Sequence, residues 1–220
     1  GSGEVNNLPF LKYVAAKKKP IILSTGMSSL AETAVAVETI LSSGCQKLAI
    51  LHCVSAYPAP FDGLNLRVIP VLEKCFGVPV GFSDHTMGSE AAIAAVALGA
   101  CIIEKHLTLD LSLPGPDHKC SLLPSQFAVF VKQIRNTEMA LGKAEKVAAS
   151  VEIPTKKVVR KGLAAARNLE VGNCLTPNDI VIKRIGSESI SPSDMEKVVG
   201  MRLFNPILAD EPLTWKHLKP

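Results

Sequence analysis

The chain has 220 residues, 47% of them apolar and 20% charged, with a formal net charge of +4. That is enough apolar material for one large or two modest cores, which excludes a disordered chain. The positive charge is dispersed: the single basic run, Lys17-Lys18-Lys19, stops at Pro20 and reads as a solvated helix end, so no nucleic-acid partner is expected. No stretch approaches ~18 uninterrupted apolar residues, and the N-terminus lacks the charged and apolar regions of a signal peptide. No membrane contact is therefore expected, and the cytoplasm is the default compartment. Cys45, Cys53, Cys75, Cys101, Cys120 and Cys174 stand singly, without a C-x-x-C pair, and read as reduced, mostly buried thiols.

Taken in chain order, Gly1-Ser2-Gly3 reads on composition alone as an expression scar. Between residues 20 and 142 one pattern then recurs: a short apolar run, a polar or glycine-rich break, and a longer segment of helical period. The runs Pro20 to Leu23, Leu48 to Leu51, Val78 to Phe82 and Cys101 to Glu104 are spaced as successive βα units require and predict buried parallel strands. Ser29-Leu30-Ala31-Glu32 fits a capping box opening a helix that Gly44 stops. After Pro124, the residues Phe127, Phe130, Val131, Ile134, Met139 and Leu141 fall largely on one face of a helix that runs to Gly142 and covers a sheet.

Residues 143 to 155 are Lys/Ala/Ser-rich, end near Pro154 and read as a linker. Beyond it the texture changes. Short strand-like pieces, Leu163 to Ala166, Ile180 to Ile182 and Met201 to Leu203, alternate with turn signals, and Thr176-Pro177 and Ser191-Pro192 each pair an N-cap hydroxyl with a helix-opening proline. The divisions are thus 1–142, 143–155 and 156–220, the last a small mixed domain.

In parallel α/β folds the C-terminal ends of the strands converge on the site. Here those ends are Ser24-Thr25-Gly26, His52 through Tyr57, Ser83-Asp84-His85 and Glu104-Lys105-His106, all polar and chemically capable. Either histidine alone is read as a satisfied half-buried ring, but His85 and His106 at equivalent ends of neighbouring strands point to shared ligation of one divalent cation. His52 precedes its strand end and takes a structural role; His118 is ambiguous, and His217 is placed on the surface. Ser2, Ser24, Ser55 and Ser83 are singly caps or turn residues and together outline a small anion site. The loop from Leu113 to His118 is either a plain turn or a rigid excursion that aims Asp117 at a polyhydroxylated ligand.

The ordered segments GSGEVNNLP (1–9), ILSTGM (22–27), LHCVSAYPAP (51–60), GFSDHTMG (81–88), AAVALGA (94–100), IEKHLTLD (103–110) and PGPDHKCSL (114–122) resemble the sialic acid (N-acetylneuraminate) synthase family, whose members also make related nonulosonic acids. GLAAARNLEVGNCLTPNDIVIKR (162–184) is similar to the family's antifreeze-like or SAF domain. The match covers the whole chain and turns Gly1-Ser2-Gly3 from a scar into part of the site. The resemblance implies an α/β fold: the C-terminal half of a (β/α)₈ TIM barrel followed by a small α+β SAF domain, in a domain-swapped homodimer whose caps cover the partner's barrel. It implies condensation of phosphoenolpyruvate with an N-acetylhexosamine of the N-acetylmannosamine type, or its 6-phosphate, with release of phosphate. By the same resemblance, His85 and His106 are the catalytic, metal-binding histidines for Mn²⁺ or Mg²⁺. Ser2, Ser24 and Ser83 bind the phosphate of phosphoenolpyruvate, with Ser55 standing where some members have asparagine. Tyr57 and Asp117 contact the sugar. In the cap, Lys161 occupies the place of an arginine on the N-acetyl group, with Arg160 beside it; lysine lacks arginine's planar fork, so a weaker or redirected contact is expected.

Family members carry four further βα units ahead of this sequence, so the chain reads as a fragment, short isoform or incomplete gene form, poorly active alone. Three alternatives stand beside the synthase: a non-catalytic partner, an ice- or carbohydrate-binding domain, for which residues 158 to 218 hold only Thr176 and Thr214, and a metal-dependent aldolase, which would release no phosphate.

Overall fold

A computed structural model describes residues 1–186 and 188–218. The chain divides into two compact units, Gly1–Lys143 and Ala144–Pro220. In the first, a 3₁₀ turn at Ser2–Glu4 leads into α1 (Leu8–Ala15), and then strands and helices alternate: β1 (Ile21–Ser24), α2 (Leu30–Ser42), β2 (Leu48–Cys53), α3 (Val68–Phe76), β3 (Val80–Asp84), α4 (Glu90–Ala97), β4 (Ile103–Lys105) and α5 (Pro124–Leu141). The four strands form one parallel sheet in sequence order, β1-β2-β3-β4. Its register sets Leu23 opposite Ile50, Ile50 opposite Val80 and Phe82 opposite Ile103. This is half of a (β/α)₈ barrel, a curled parallel sheet with β1 and β4 at its edges.

The helices form where their ends are satisfied. Ser29 Oγ accepts from Glu32 N at 3.2 Å while Ser29 N donates to Glu32 Oε2 at 2.8 Å, closing both halves of the capping box on α2. Gly44, at φ +90°, takes the left-handed turn that ends it. Behind the sheet Leu23, Ile50 and Phe82 pack with Ile40 of α2 and Ile69 and Leu72 of α3. Each fully buried side chain of this size contributes about 1.5–3 kcal/mol relative to exposure. A second cluster joins Ala92 and Val96 of α4 to Phe130 and Ile134 of α5.

The second unit opens with a 3₁₀ turn, Ser150–Glu152, and α6 (Ile153–Val159). Then β5 (Lys161–Ala165) pairs antiparallel with β6 (Ile180–Arg184), and a single helical turn, α7 (Met195–Val198), follows. Its core is small and largely aliphatic: Leu163, Leu169, Leu175, Ile190, Leu203, Ile207 and Leu213.

Several boundaries differ from the sequence reading, for physical reasons. All four strands of the first unit run one or two residues past their apolar stretches, so Ser24, Cys53, Asp84 and Lys105 belong to the ladder. The stretch 143–155 is not all loop: Pro154 sits in the first turn of α6, where its missing N–H has no partner to lose. Met201 to Leu203 is no strand. Its backbone bonds to a loop instead, with Leu175 N donating to Met201 O at 2.9 Å and Leu203 N to Asn173 O at 3.0 Å. Thr176-Pro177 opens a single 3₁₀ turn rather than a longer helix, whereas Ser191-Pro192 opens a 3₁₀ turn that runs directly into α7. Only Phe130 and Ile134 of α5 are buried, because its last turns run out into solvent. Three of the six thiols, Cys75, Cys101 and Cys174, are exposed rather than buried.

Candidate active site

Successive residues of a strand face opposite sides of a sheet. Residues two apart therefore share a face, and three such pairs line one end of this sheet: Cys53 and Ser55 at the end of β2, Ser83 and His85 at the end of β3, Glu104 and His106 at the end of β4. His85, Glu104 and His106 meet there, with one donor atom from each lying within 4.8 Å of the others. The two imidazole rings stand edge to face, 5.0 Å between centroids. Tyr57 lies against both, at 4.2 Å from His85 and 5.5 Å from His106.

His85 is 6% exposed and firmly oriented. Its Nδ1 lies 2.8 Å from the Val54 carbonyl. A carbonyl can only accept, so Nδ1 carries the proton and Nε2 keeps its lone pair toward the site, 3.5 Å from Ser83 Oγ. Ser83 Oγ donates to Glu104 Oε2 at 2.5 Å, leaving that carboxylate pinned at the mouth of β4. On the far side Asp117 Oδ2 stands 4.0 Å from His106 Nδ1. A cleft of about 450 Å³ opens there between Glu104, His106, Gly115, Asp117 and Ser121.

A second group gathers around Gly26. Ser2 Oγ accepts from Gly26 N at 2.8 Å, and a methyl group added at Gly26 would meet Ser55 Oγ, Ser2 Oγ and Cys53 Sγ. Two hydroxyls and a thiol thus converge on one backbone position, and only the absence of a side chain admits them. Ser24 ends β1 two residues before it, opposite Leu51.

The electrostatics of the two groups are linked through Cys53 and His85, whose Sγ and Nδ1 are 3.7 Å apart. Burial opposes the charged thiolate, but hydrogen bonds from His85, Ser83 and Ser2 outweigh it and lower the Cys53 pKa. Burial likewise opposes the imidazolium of His85. The hydrogen bonds to Cys53 and the Val54 carbonyl, with the charges of Cys53 and Glu104, outweigh it and raise the His85 pKa. The Tyr57 hydroxyl is raised first by burial and then by the surrounding charges of Cys53, Asp117 and Glu104. A field that resists a further negative charge, beside two imidazoles and a carboxylate, suits a divalent cation.

Of the residues singled out in the sequence, the structure brings together His85, His106, Tyr57, Ser83 and Asp117 around one centre and Ser2 and Ser55 around Gly26. Arg160 and Lys161 belong to the second unit, where both are exposed and Lys161 faces Arg184 across the β5–β6 ladder. His52 has the structural role expected, its Nε2 2.6 Å from the Leu64 carbonyl. His118 is tied to Thr108 Oγ1 at 2.7 Å, and His217 is half-buried rather than on the surface, Nδ1 accepting from Thr214 N at 3.1 Å. Sequence reasoning passed over Glu104, which stands with the two histidines, and Cys53, which stands with the hydroxyls at Gly26. Each stands two residues before a chosen neighbour, His106 and Ser55, and the strand period alone carried that signal.

A sequence model of the NeuB family matches residues 1–146. The chain belongs to the NeuB family. Residues 160–219 match the SAF domain. The N,N'-diacetyllegionaminic acid synthase of Legionella pneumophila is 40% identical over 99% of this chain and 62% of its own length. The enzyme of the same name from Campylobacter jejuni is 42% identical over 90% of this chain and 60% of its own. The crystal structure of the spore coat polysaccharide biosynthesis protein SpsE of Bacillus subtilis superposes with a TM-score of 0.61, 34% identical, over 100% of this chain and 66% of that one. The chain thus spans about 60% of the length of the curated relatives it matches.

Proposed function

We propose that this NeuB-family chain takes part in the condensation of phosphoenolpyruvate with an N-acetylhexosamine of the N-acetylmannosamine type, free or 6-phosphorylated, to give a nonulosonic acid and inorganic phosphate. The observation that supports it most is the meeting of His85, Glu104 and His106 beside the serine-lined pocket at Gly26. One group fits a cation and the other an anion, a few side chains apart. C3 of phosphoenolpyruvate adds to the open-chain aldehyde carbon of the sugar, leaving electron deficiency at C2. Water adds at C2, one of its protons neutralising the alkoxide left at the former aldehyde oxygen, and the tetrahedral product expels phosphate, which takes the other proton as the ketone forms. One water is consumed for each phosphate released.

His85, Glu104 and His106 would hold a divalent metal, Mn²⁺ or Mg²⁺. When bound, it supplies Lewis-acid polarisation of the aldehyde oxygen. Ser2, Ser24 and Ser55 donate hydroxyl hydrogen bonds to the phosphate, preorganised rather than recruited from solvent, and Ser83 joins them by turning its proton from Glu104 to the phosphate. Tyr57 and Asp117 position the sugar, and Asp117 also faces His106. Arg160 and Lys161 supply cationic contacts to the sugar in a homodimer. The six unpaired thiols suit the cytoplasm, where phosphoenolpyruvate is made. Among the described residues no helix is long and apolar enough to cross a membrane.

The test is phosphate release from phosphoenolpyruvate, measured on the longest natural form of the protein with sugars bearing one and two acetamido groups. Release should require a divalent metal and fall at least a hundredfold in His85→Ala and His106→Ala. Unchanged turnover in either variant refutes the assignment.

A further inference from the structure

Between Ser83 and His85 lies Asp84, and between Glu104 and His106 lies Lys105; by strand alternation both point away from the site. They meet on the far side of the sheet. Asp84 and Lys105 are paired across the β3–β4 ladder, and Lys105 Nζ donates to Asp84 Oδ2 at 3.0 Å. The pair is deeply buried, Asp84 at 1% and Lys105 at 7% exposure, in the layer where the ammonium lies 5.8 Å from the Phe130 ring centroid of α5. Thr86 completes it. Asp84 Oδ1 accepts from Thr86 N at 2.8 Å and from Thr86 Oγ1 at 2.7 Å, and Lys105 Nζ also donates to the Thr86 carbonyl.

A buried ion pair is weak as a stabilising device, because the loss of hydration offsets the attraction and a neutral pair of similar size often serves as well. Its position is therefore the informative feature. Residues on both sides of His85 are fastened to each other and to the residue just before His106. Cross-strand and along-strand freedom are removed together, at the one place where two ligands from different strands must keep a fixed separation.

We propose that Asp84, Lys105 and Thr86 form a positioning clamp that sets the spacing of His85 and His106, and through it the affinity of the metal centre. This rests on the reading of His85, Glu104 and His106 as metal ligands. None of the three clamp residues touches the ion; they act through the backbone, as outer-shell partners of a metal site do.

The experiment is a Mn²⁺ titration of the full protein followed by electron paramagnetic resonance, with thermal unfolding recorded alongside. Asp84→Asn combined with Lys105→Met removes both charges at nearly constant volume. Its Mn²⁺ dissociation constant should rise 10- to 100-fold while the unfolding midpoint stays near that of the wild type. Thr86→Val keeps the ion pair and removes only the hydroxyl, and should weaken Mn²⁺ several-fold; it decides the matter where the double variant does not fold. Binding within twofold of wild type in the folded double variant, or in Thr86→Val where that variant alone folds, overturns the clamp. A wild type with no saturable Mn²⁺ site overturns instead the metal reading on which it rests.

Discussion

Two glycines of the first unit make opposite demands on an added methyl group. Neither has a left-handed φ, so alanine is acceptable to both backbones. At Gly26 the new Cβ would lie 2.9 Å from Ser2 Oγ, 3.2 Å from Cys53 Sγ and closer still to Ser55 Oγ. These are ends of short side chains, which can rotate away. The cost to folding is one hydrogen bond from Gly26 N to Ser2, about 1 kcal/mol, offset by about 0.4–1 kcal/mol from the stiffer unfolded chain. At Gly81, in β3, the Cβ would meet Leu51 Cδ2 at 2.5 Å, Ile102 Cβ at 2.8 Å and the Ile102 carbonyl closer still. That carbonyl accepts from Phe82 N at 2.8 Å, so it cannot withdraw without opening the β3–β4 ladder.

Gly81→Ala should therefore destabilise the first unit by about 1–3 kcal/mol or more. Gly26→Ala should unfold within about 1 kcal/mol of wild type, yet the rotated hydroxyls of Ser2 and Ser55 no longer reach an anion. Two hydrogen bonds to a charged group are worth about 1.5–3 kcal/mol each, which is about 10²- to 10⁴-fold in phosphate affinity at ~1.4 kcal/mol per decade. Calorimetric titration with inorganic phosphate and thermal unfolding of both variants are the measurements. A folded Gly26→Ala protein that binds phosphate within threefold of wild type refutes the anion pocket.

Two further outcomes concern other parts of the chain. Asp179, 4% exposed at its side chain, accepts from Thr176 Oγ1 and N and from Arg167, and these bonds, Thr176 foremost, hold its carboxyl below the ordinary value of 3.8. The stabilisation is present in full above that ordinary value and is lost as pH falls through the lowered one. Asp179→Asn should thus cost about 1–3 kcal/mol in the second unit at pH 7, and a pH-independent gap between variant and wild type down to pH 2.5 in thermal unfolding counts against this. In native thiol titration with a chromogenic disulfide, Cys75, Cys101 and Cys174 should react promptly and Cys45, Cys53 and Cys120 only on unfolding; rapid modification of Cys53 contradicts its burial beside His85.

The half-barrel was legible because its two inner strands, β2 and β3, are buried on both faces and all four strands read as short apolar runs, each closed by chemically capable residues. The strand bounds fell short for a related reason. Hydrophobicity marks where a strand is covered, whereas the ladder continues through Ser24, Cys53, Asp84 and Lys105 into the site. The second unit was less legible. Its core is sewn together by single hydrogen-bonded contacts, such as Leu163 N to Ile190 O at 2.9 Å and Leu213 N to Leu163 O at 2.8 Å, between segments distant in sequence. Short stretches like Met201-Arg202-Leu203 lend apolar side chains to that core without forming strands. The convergence on Gly26 had no local signal, since Ser2, Cys53 and Ser55 arrive from two separate parts of the chain.

The polar strand ends Ser83-Asp84-His85 and Glu104-Lys105-His106 look in sequence like two uniform patches of site chemistry. The pleat divides each into two populations with different tasks. Ser83, His85, Glu104 and His106 face the open end, where exchangeable partners arrive, and a hydroxyl, two imidazoles and a carboxylate are suited to that. Asp84 and Lys105 face α4 and α5, where no solvent compensates a charge, so each charge needs the other. Burying unlike charges behind the proposed ligand pair makes the strand spacing depend on a directional contact rather than on apolar packing, which tolerates sliding. Chemistry on one face and its alignment on the other are thus encoded by alternate letters of the same two triplets.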